Sequence, residues 1–262
     1  MRVLAVVARQ TFRRMTAYRG ATAAGLFTNT VFGFLIAYVL LAVYRERPDV
    51  GGFDAVDAVT FTFVAQSLIM VVGLFGDNEL PERIRTGDVV ADLFRPVDLQ
   101  AWLAAVAYGK AAFYAIFRGV VPFVVGAVVF DLRTPPPSVW PWFVVSVLAA
   151  VAVAFGWRFL LALSAFWLLD DRGVSGLGLM TALFLSGLFV PVVFFPAWLE
   201  TLARALPFAS MLQVPAEVFL GKHVGADAAR TVAVQLAWAL ALAAAGRVVL
   251  ARAVRRVVVQ GG

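Results

Sequence analysis

Residues 21–44 read ATAAGLFTNTVFGFLIAYVLLAVY, an uninterrupted run of 24 residues without a charge. A lipid bilayer's hydrocarbon core is about 30 Å thick, and a helix needs about 20 apolar residues to cross it. This stretch is long enough, and five others follow at roughly Val56–Phe75, Tyr108–Phe130, Trp140–Leu169, Val174–Phe195 and Thr231–Leu250. The spacing therefore predicts an all-α, polytopic membrane protein of about six spans, forming one domain over residues 1–262. Trp140–Leu169 is long enough to tilt or to run on past the bilayer, and Pro122 is expected to kink the third span.

Composition agrees with that frame. Hydrophobic residues make up 62% of the chain, charged residues 15%, and mean hydropathy is +0.89. A soluble chain is about half apolar and a quarter charged, so this one has too much apolar surface to hide from water. The net charge of +6 does not indicate nucleic acid. Its arginines gather at the two ends beside apolar runs instead of forming a stripe interleaved with aromatics. There is no cysteine, which excludes disulfides and thiolate chemistry. Arginines run through Met1–Gly20, so no charged start followed by an apolar core marks a cleavable leader.

Residues 2–18 place Arg2, Arg9 and Arg13 on one face and Leu4, Val7, Ala8, Thr11, Met15 and Tyr18 on another. Such a basic amphipathic helix lies in the membrane interface with its arginines toward headgroups. Twelve arginines (2, 9, 13, 14, 19, 83, 85, 95, 172, 252, 255 and 256) fall on the side of the termini. The opposite side holds Arg45, Arg47, Arg133, Arg204 and Lys222. The excess predicts cytoplasmic termini in the plasma membrane.

Two segments carry more than lipid-soluble helix. Between spans two and three, residues 77–100 mix both charge signs with Leu80, Ile84, Leu93 and Phe94. The pattern suggests a short amphipathic helix broken at Gly87, restarting at Asp88 and turning at Pro96. It suits docking to a soluble partner, though a solvated loop shows the same mixture. Between spans five and six, Pro191, Pro196, Pro207 and Pro215 punctuate pieces too short to cross yet rich in Phe195, Phe208 and other apolar residues. Irregular backbone at membrane depth must be buried in protein or line a cavity. Short re-entrant helices over 196–222 are expected there, as a gate or as a rigid cap.

The stretch Ile84-Arg85-Thr86-Gly87-Asp88-Val89-Val90-Ala91-Asp92-Leu93-Phe94-Arg95-Pro96-Val97 resembles the coupling region of ABC-2-type permeases. Ser186-Gly187 with Pro191, Phe195-Pro196, Leu206-Pro207-Phe208, Pro215 and Gly221 resembles that family's signature between its last two spans. The resemblance runs over nearly the whole chain. It implies the membrane subunit of an ATP-binding-cassette exporter, with a dimer partner that is a second copy or a homologous permease. It further implies a separate nucleotide-binding subunit, which Glu79, Arg83, Ile84, Arg85, Gly87, Asp88 and Leu93 would engage. Pro191, Phe195, Pro196, Pro207, Phe208 and Pro215 would form an extracellular gate.

ATP is not expected to bind this chain, nor is any other cofactor. A phosphate-cradling loop needs Gly-x4-Gly-Lys-Ser/Thr, whereas Gly109-Lys110 and Gly221-Lys222 run into Ala111 and His223 without the first glycine. ATP and magnesium would belong to the partner. No metal site is expected either. Asp170-Asp171-Arg172-Gly173 hints at a magnesium motif of lipid or prenyl transferases, but a second aspartate cluster is missing. A secondary transporter would need coupling carboxylates deep in its spans, and none is there. Lys110, Arg118 and Arg158 do interrupt apolar spans. A cation at mid-membrane costs at least about 2.5–3.5 kcal/mol and normally faces a cavity or a partner. Lys110 is expected to snorkel, while Arg118 and Arg158 are assigned to an inner vestibule or to contact with membrane lipid.

Overall fold

The computed structural model describes residues 2–46, 49–75, 79–168 and 171–255. Gly76-Asp77-Asn78, Arg47, Asp170 and Arg256, all drawn into the sequence reading, lie outside the described residues. Among the described residues there is no strand, only an isolated bridge between Val50 and Phe53.

The described residues form twelve α-helices in order: α1 Arg2–Met15, α2 Arg19–Glu46, α3 Ala55–Val72, α4 Glu79–Thr86, α5 Val89–Leu93, α6 Leu99–Tyr114, α7 Val120–Val129, α8 Trp140–Leu163, α9 Arg172–Leu185, α10 Ala197–Ala205, α11 Gln213–Phe219 and α12 Gly225–Val254. A π-helical turn, Ala115–Gly119, joins α6 to α7, so the two form one apolar segment, Leu99–Val129. Short 3₁₀ turns lie at Ser164–Phe166 and Val192–Phe194.

Among the described residues, five segments are long and apolar enough to cross a membrane: Thr22–Glu46, Ala55–Val72, Leu99–Val129, Trp140–Phe166 and Gly225–Val254. The expected fifth span is shorter than the sequence suggests. Its helix ends at Leu185, the chain turns at Gly187 with φ +84°, and the remaining apolar residues pack in the irregular segment that follows. The third span is longer and starts at Leu99 rather than Tyr108. A π-helical turn precedes Pro122, which lies in the first turn of α7.

α3 is the post of the bundle. In its apolar window 83% of residues are buried, against 17% in α2, so the first span lies outside and the second at the centre. A reciprocal capping box starts α3: the Asp57 backbone N–H donates to Asp54 Oδ1 at 2.7 Å, and the Asp54 N–H to Asp57 Oδ2 at 3.3 Å. Gly73, at φ +72°, ends it in the left-handed conformation that glycine adopts without strain. Several polar groups on this helix find protein partners, while the Ser67 hydroxyl is buried without a hydrogen-bond partner among the described residues. Thr62 bonds the Ala58 carbonyl, Thr60 accepts the Arg133 backbone N–H, and the Gln66 carbonyl accepts from Asn29.

α8 and α12 pack along their lengths and are tied inside the bundle. Ser146 donates to Gln235 Oε1 at 2.8 Å, and Gln235 Nε2 donates to the Ser210 carbonyl at 2.9 Å. Hydrogen bonds between helices hold a membrane bundle where the hydrophobic effect between them is weak. The amphipathic α1 lies across α6. A Cβ at Gly109 would stand 2.4 Å from the Ala8 carbonyl oxygen, so glycine sets the closeness of that crossing.

Candidate functional site

At one end of the bundle, α4 and α5 form a folded pair. Leu80, Val89 and Leu99 pack with Phe159 and Leu163 of α8 and Leu250 of α12, and Ile84 and Leu93 join them at the edge. Gly87, at φ +83°, makes the break between the two helices where it was expected. Asp92, only 5% exposed, is the keystone. It accepts from Arg83 Nε and from Arg95 Nη2, the latter at 2.9 Å. Its neighbours hold the Arg83 guanidinium above its ordinary range, first through the hydrogen bond to Asp92.

The seven residues assigned to this surface thus divide. Arg83 grips Asp92, Ile84 and Leu93 pack inward, Gly87 turns the chain and Glu79 lines a cavity. Arg85, which pairs with Glu82, and Asp88 stay exposed. Phe94 is 83% exposed at the C-terminal end of α5. Asp92 had no assigned role because its burial comes from contacts between α4 and α5, which spacing alone does not reveal.

Next to this pair lies a cavity of about 270 Å³ between α3, α6 and α8, with Lys110, Arg158, Glu79 and Tyr114 in its wall. Arg158 also lines a smaller cavity of about 80 Å³ toward α9. Arg118 is elsewhere. It is 7% exposed, and its guanidinium sits 5.3 Å from the Tyr114 ring centre in the space left by Gly25. The two arginines that the sequence grouped are therefore in different surroundings.

A second, larger cavity of about 470 Å³ lies between α3, α7 and α8, and no charged side chain lines it. Phe123, Trp140 and Phe143 close it at the far end by edge contacts with Phe219 of α11 at 5.1–5.9 Å.

The far end carries a polar clasp. Glu217 of α11, 3% exposed, accepts from Arg204 of α10 through two bonds of 2.7 and 3.1 Å, from Gln213 Nε2 at 2.9 Å, and pairs with His223 at 3.2 Å. His223 also meets Asp227 at the start of α12, and the Thr231 hydroxyl faces it at 3.4 Å. Asp57, at the top of α3, binds Arg133 and Lys222. Gln213 Oε1 accepts the Val192 backbone N–H, and its own N–H donates to the Ser186 carbonyl, which ties the turn after Gly187 to α11. The proposed gate residues are placed around this clasp. Pro191, Pro207, Phe208 and Pro215 are buried, Pro196 is exposed, Phe208 meets Trp157, and Phe195 stacks on Phe184.

Burial pushes the Glu217 carboxyl up, but hydrogen bonds from His223 and Arg204 outweigh it and hold it at about 2. The same contact raises His223 above its ordinary 6.5. A raised cation stabilises the fold fully below its unfolded pKa and loses that contribution as pH climbs through the folded one. A depressed carboxylate contributes above its unfolded value and loses it as pH falls toward about 2. The thermal midpoint is therefore expected to drop by a few degrees as pH rises above 6.5 into the His223 titration. His223→Gln should abolish this alkaline limb and leave the acid limb. Identical pH profiles for both chains would refute the assignment.

Asp171, the described half of the Asp170-Asp171 pair, is 4% exposed and accepts from the Ser175 hydroxyl at 3.0 Å at the start of α9.

No curated protein and no solved structure matches the chain. The family model described as ABC-2 family transporter protein matches residues 28–261. With its all-helical bundle and its helical pair between the second and third crossings, the chain belongs to the ABC-2 transporter family, as a multi-pass transporter membrane subunit.

Proposed function

We propose that this subunit exports a hydrophobic or amphiphilic substrate by alternating access, driven by nucleotide-dependent closure of ATPase subunits docked on α4 and α5. Both termini and the α4–α5 pair face the cytoplasm, following the arginine excess at that end. A second copy or a homologous permease completes the pathway, and lipid surrounds the sparsely buried α2 and α12. ATP and magnesium reside in the ATPase, and no reaction is catalysed here. The α10–α11 cap and its clasp form the outer gate.

The observation that carries this reading is the α4–α5 pair itself. It is bound to the ends of α8 and α12 by an apolar cluster, cross-braced through Asp92, and still presents Arg85, Asp88 and Phe94 outward. A solvated loop has no reason to be so anchored, whereas a lever does.

Co-expression with the ATP-binding subunits of the same genome tests it. Phe94→Ala is expected to weaken co-purification about 10–30-fold, the scale of a buried aromatic anchor at an interface, and to reduce transport-linked ATPase stimulation in step. Charge reversal at Arg85 should act in the same direction. Undiminished coupling in both variants would refute the docking surface.

A further inference from the structure

The chain between α11 and α12 is pinned by two adjacent side chains that serve different helices. Lys222 Nζ donates to the Gly52 carbonyl at 2.7 Å and to Asp57 Oδ2, at the start of α3, at 2.6 Å. It also lies 5.0 Å from the centre of the Phe53 ring. His223 meets Glu217 at 3.2 Å and Asp227 at 2.6 Å. The turn between α2 and α3 that receives Lys222 backs onto the 3₁₀ turn Val192–Phe194. A Cβ at Gly51 would stand 2.8 Å from Val193 Cβ, and Tyr44, near the end of α2, meets Phe194 edge-on at 5.8 Å. That 3₁₀ turn is itself held to α11, since Gln213 accepts from the Val192 N–H and donates to Glu217. The contacts close a ring, from the α2–α3 turn through Val193, Gln213, Glu217 and His223 to Lys222, and back to Gly52.

We infer that this ring latches the outer gate and that Lys222 is its releasable link, a positioning residue through which the α10–α11 cap is held on the α2–α3 turn. The inference rests on the export reading, which makes that cap the gate, and it names the contact at which the gate parts.

The fate of the buried charges decides which contact breaks. Parting at Glu217 would strand a buried carboxylate, and a lone member of a buried ion pair is what makes such pairs costly to break. Parting at Lys222 does not. Asp57 is 2% exposed but keeps Arg133, whose Nε lies 2.5 Å from Oδ1. The Lys222 side chain is already 30% exposed, so its ammonium passes readily to water. Lysine also grips as a point charge on a flexible stem, without the two-pronged fork of arginine. That suits a contact made and unmade in each cycle. Lifting it would uncover Phe53 and Val193, both buried while the ring is closed.

The test uses the full chain with co-expressed ATPase subunits in nanodiscs and reads cysteine alkylation site by site by mass spectrometry, in a chain that has no cysteine of its own. Val193→Cys reports the seat under the latch. Ala209→Cys, buried between α10 and α11, reports whether the cap itself stays folded. Without nucleotide, Lys222→Met is expected to speed alkylation of Val193→Cys at least about tenfold, the scale of one charge-assisted hydrogen bond, and to leave Ala209→Cys slow. Lys222→Arg, which keeps the charge, should restore most of the protection. With Lys222 in place, ATP and vanadate should accelerate Val193→Cys to a similar degree. An unchanged rate in Lys222→Met would overturn the inference, as would protection that Lys222→Arg fails to restore. So would joint acceleration of Val193→Cys and Ala209→Cys, which marks an unravelled cap, or a Val193→Cys rate indifferent to ATP and vanadate while the ATPase is bound and active. Because the Lys222→Met comparison needs no nucleotide, its failure with coupling intact would remove the latch and leave the export reading standing. ATPase subunits that do not bind the unaltered chain would remove the export reading instead.

Discussion

Glu217→Ala is expected to lower the stability of the full chain by about 3–5 kcal/mol, the usual cost of removing one partner from a buried ion pair. The carboxylate is 3% exposed and accepts from Arg204, Gln213 and His223 together. Without it Arg204 keeps Glu200 as its carboxylate partner among the described residues, while Gln213 Nε2 loses the Glu217 acceptor. Glu217→Gln should cost less, because one oxygen remains to accept. Asp227→Ala, whose carboxylate is 59% exposed, should stay within about 1 kcal/mol, as exposed pairs do. Replacing both partners by apolar residues, Arg204→Met with Glu217→Leu, should recover most of the loss, since no charge is then stranded. Unfolding in detergent micelles measures all four, and a Glu217→Ala loss no larger than that of Asp227→Ala would sink the clasp as an energetic feature.

The second large effect is steric. Gly109→Leu is expected to lift α1 off α6, because even a Cβ there would stand 2.4 Å from the Ala8 carbonyl oxygen and 2.9 Å from Thr11 Cβ. Backbone cannot yield as a flexible side-chain tip does, and forced overpacking costs about 1–3 kcal/mol. The edge contact of Phe12 with Phe113, at 5.8 Å, would go with it. Since the chain has no cysteine, Thr11→Cys gives a clean reporter. Its alkylation should be slow with Gly109 present and at least about tenfold faster with leucine, the factor that corresponds to about 1.4 kcal/mol. Equal rates would show that α1 does not depend on this crossing.

Much of this architecture was legible because membrane crossings declare themselves by length and hydropathy alone. The amphipathic helix near the N-terminus, the break at Gly87 and the prolines around α10 and α11 could also be read from residues. What stayed hidden depends on contacts between distant segments. No pattern announced that α3, which carries Thr60, Thr62, Gln66 and Ser67, stands at the centre while the more apolar α2 lies outside. In hindsight the polar residues are the signal, since they need protein partners and lipid offers none. The fifth apolar run overstated its helix because hydropathy cannot distinguish a crossing from an apolar segment folded back at Gly187. Asp92 and Glu217 were opaque for a related reason: a carboxylate in a loop reads as solvated until its arginines, nine and thirteen positions away, are found against it. Arg118 and Arg158 looked alike by depth, and helix packing alone separates them.

The central helix has no slack. α3 runs 18 residues, about 27 Å at 1.5 Å per residue, from the Asp54–Asp57 box at one end to Gly73 at the other. It is capped at both ends and buried along most of its length, so a change of register within it has to be absorbed at one end or the other. Adding a single alanine midway would turn Asp57 by about 100° relative to Gly73, so that neither Arg133 nor Lys222 could meet it while the lower half kept its seat. Such a chain would keep its crossings and lose the ion pairs that join the start of α3 to Arg133 and Lys222.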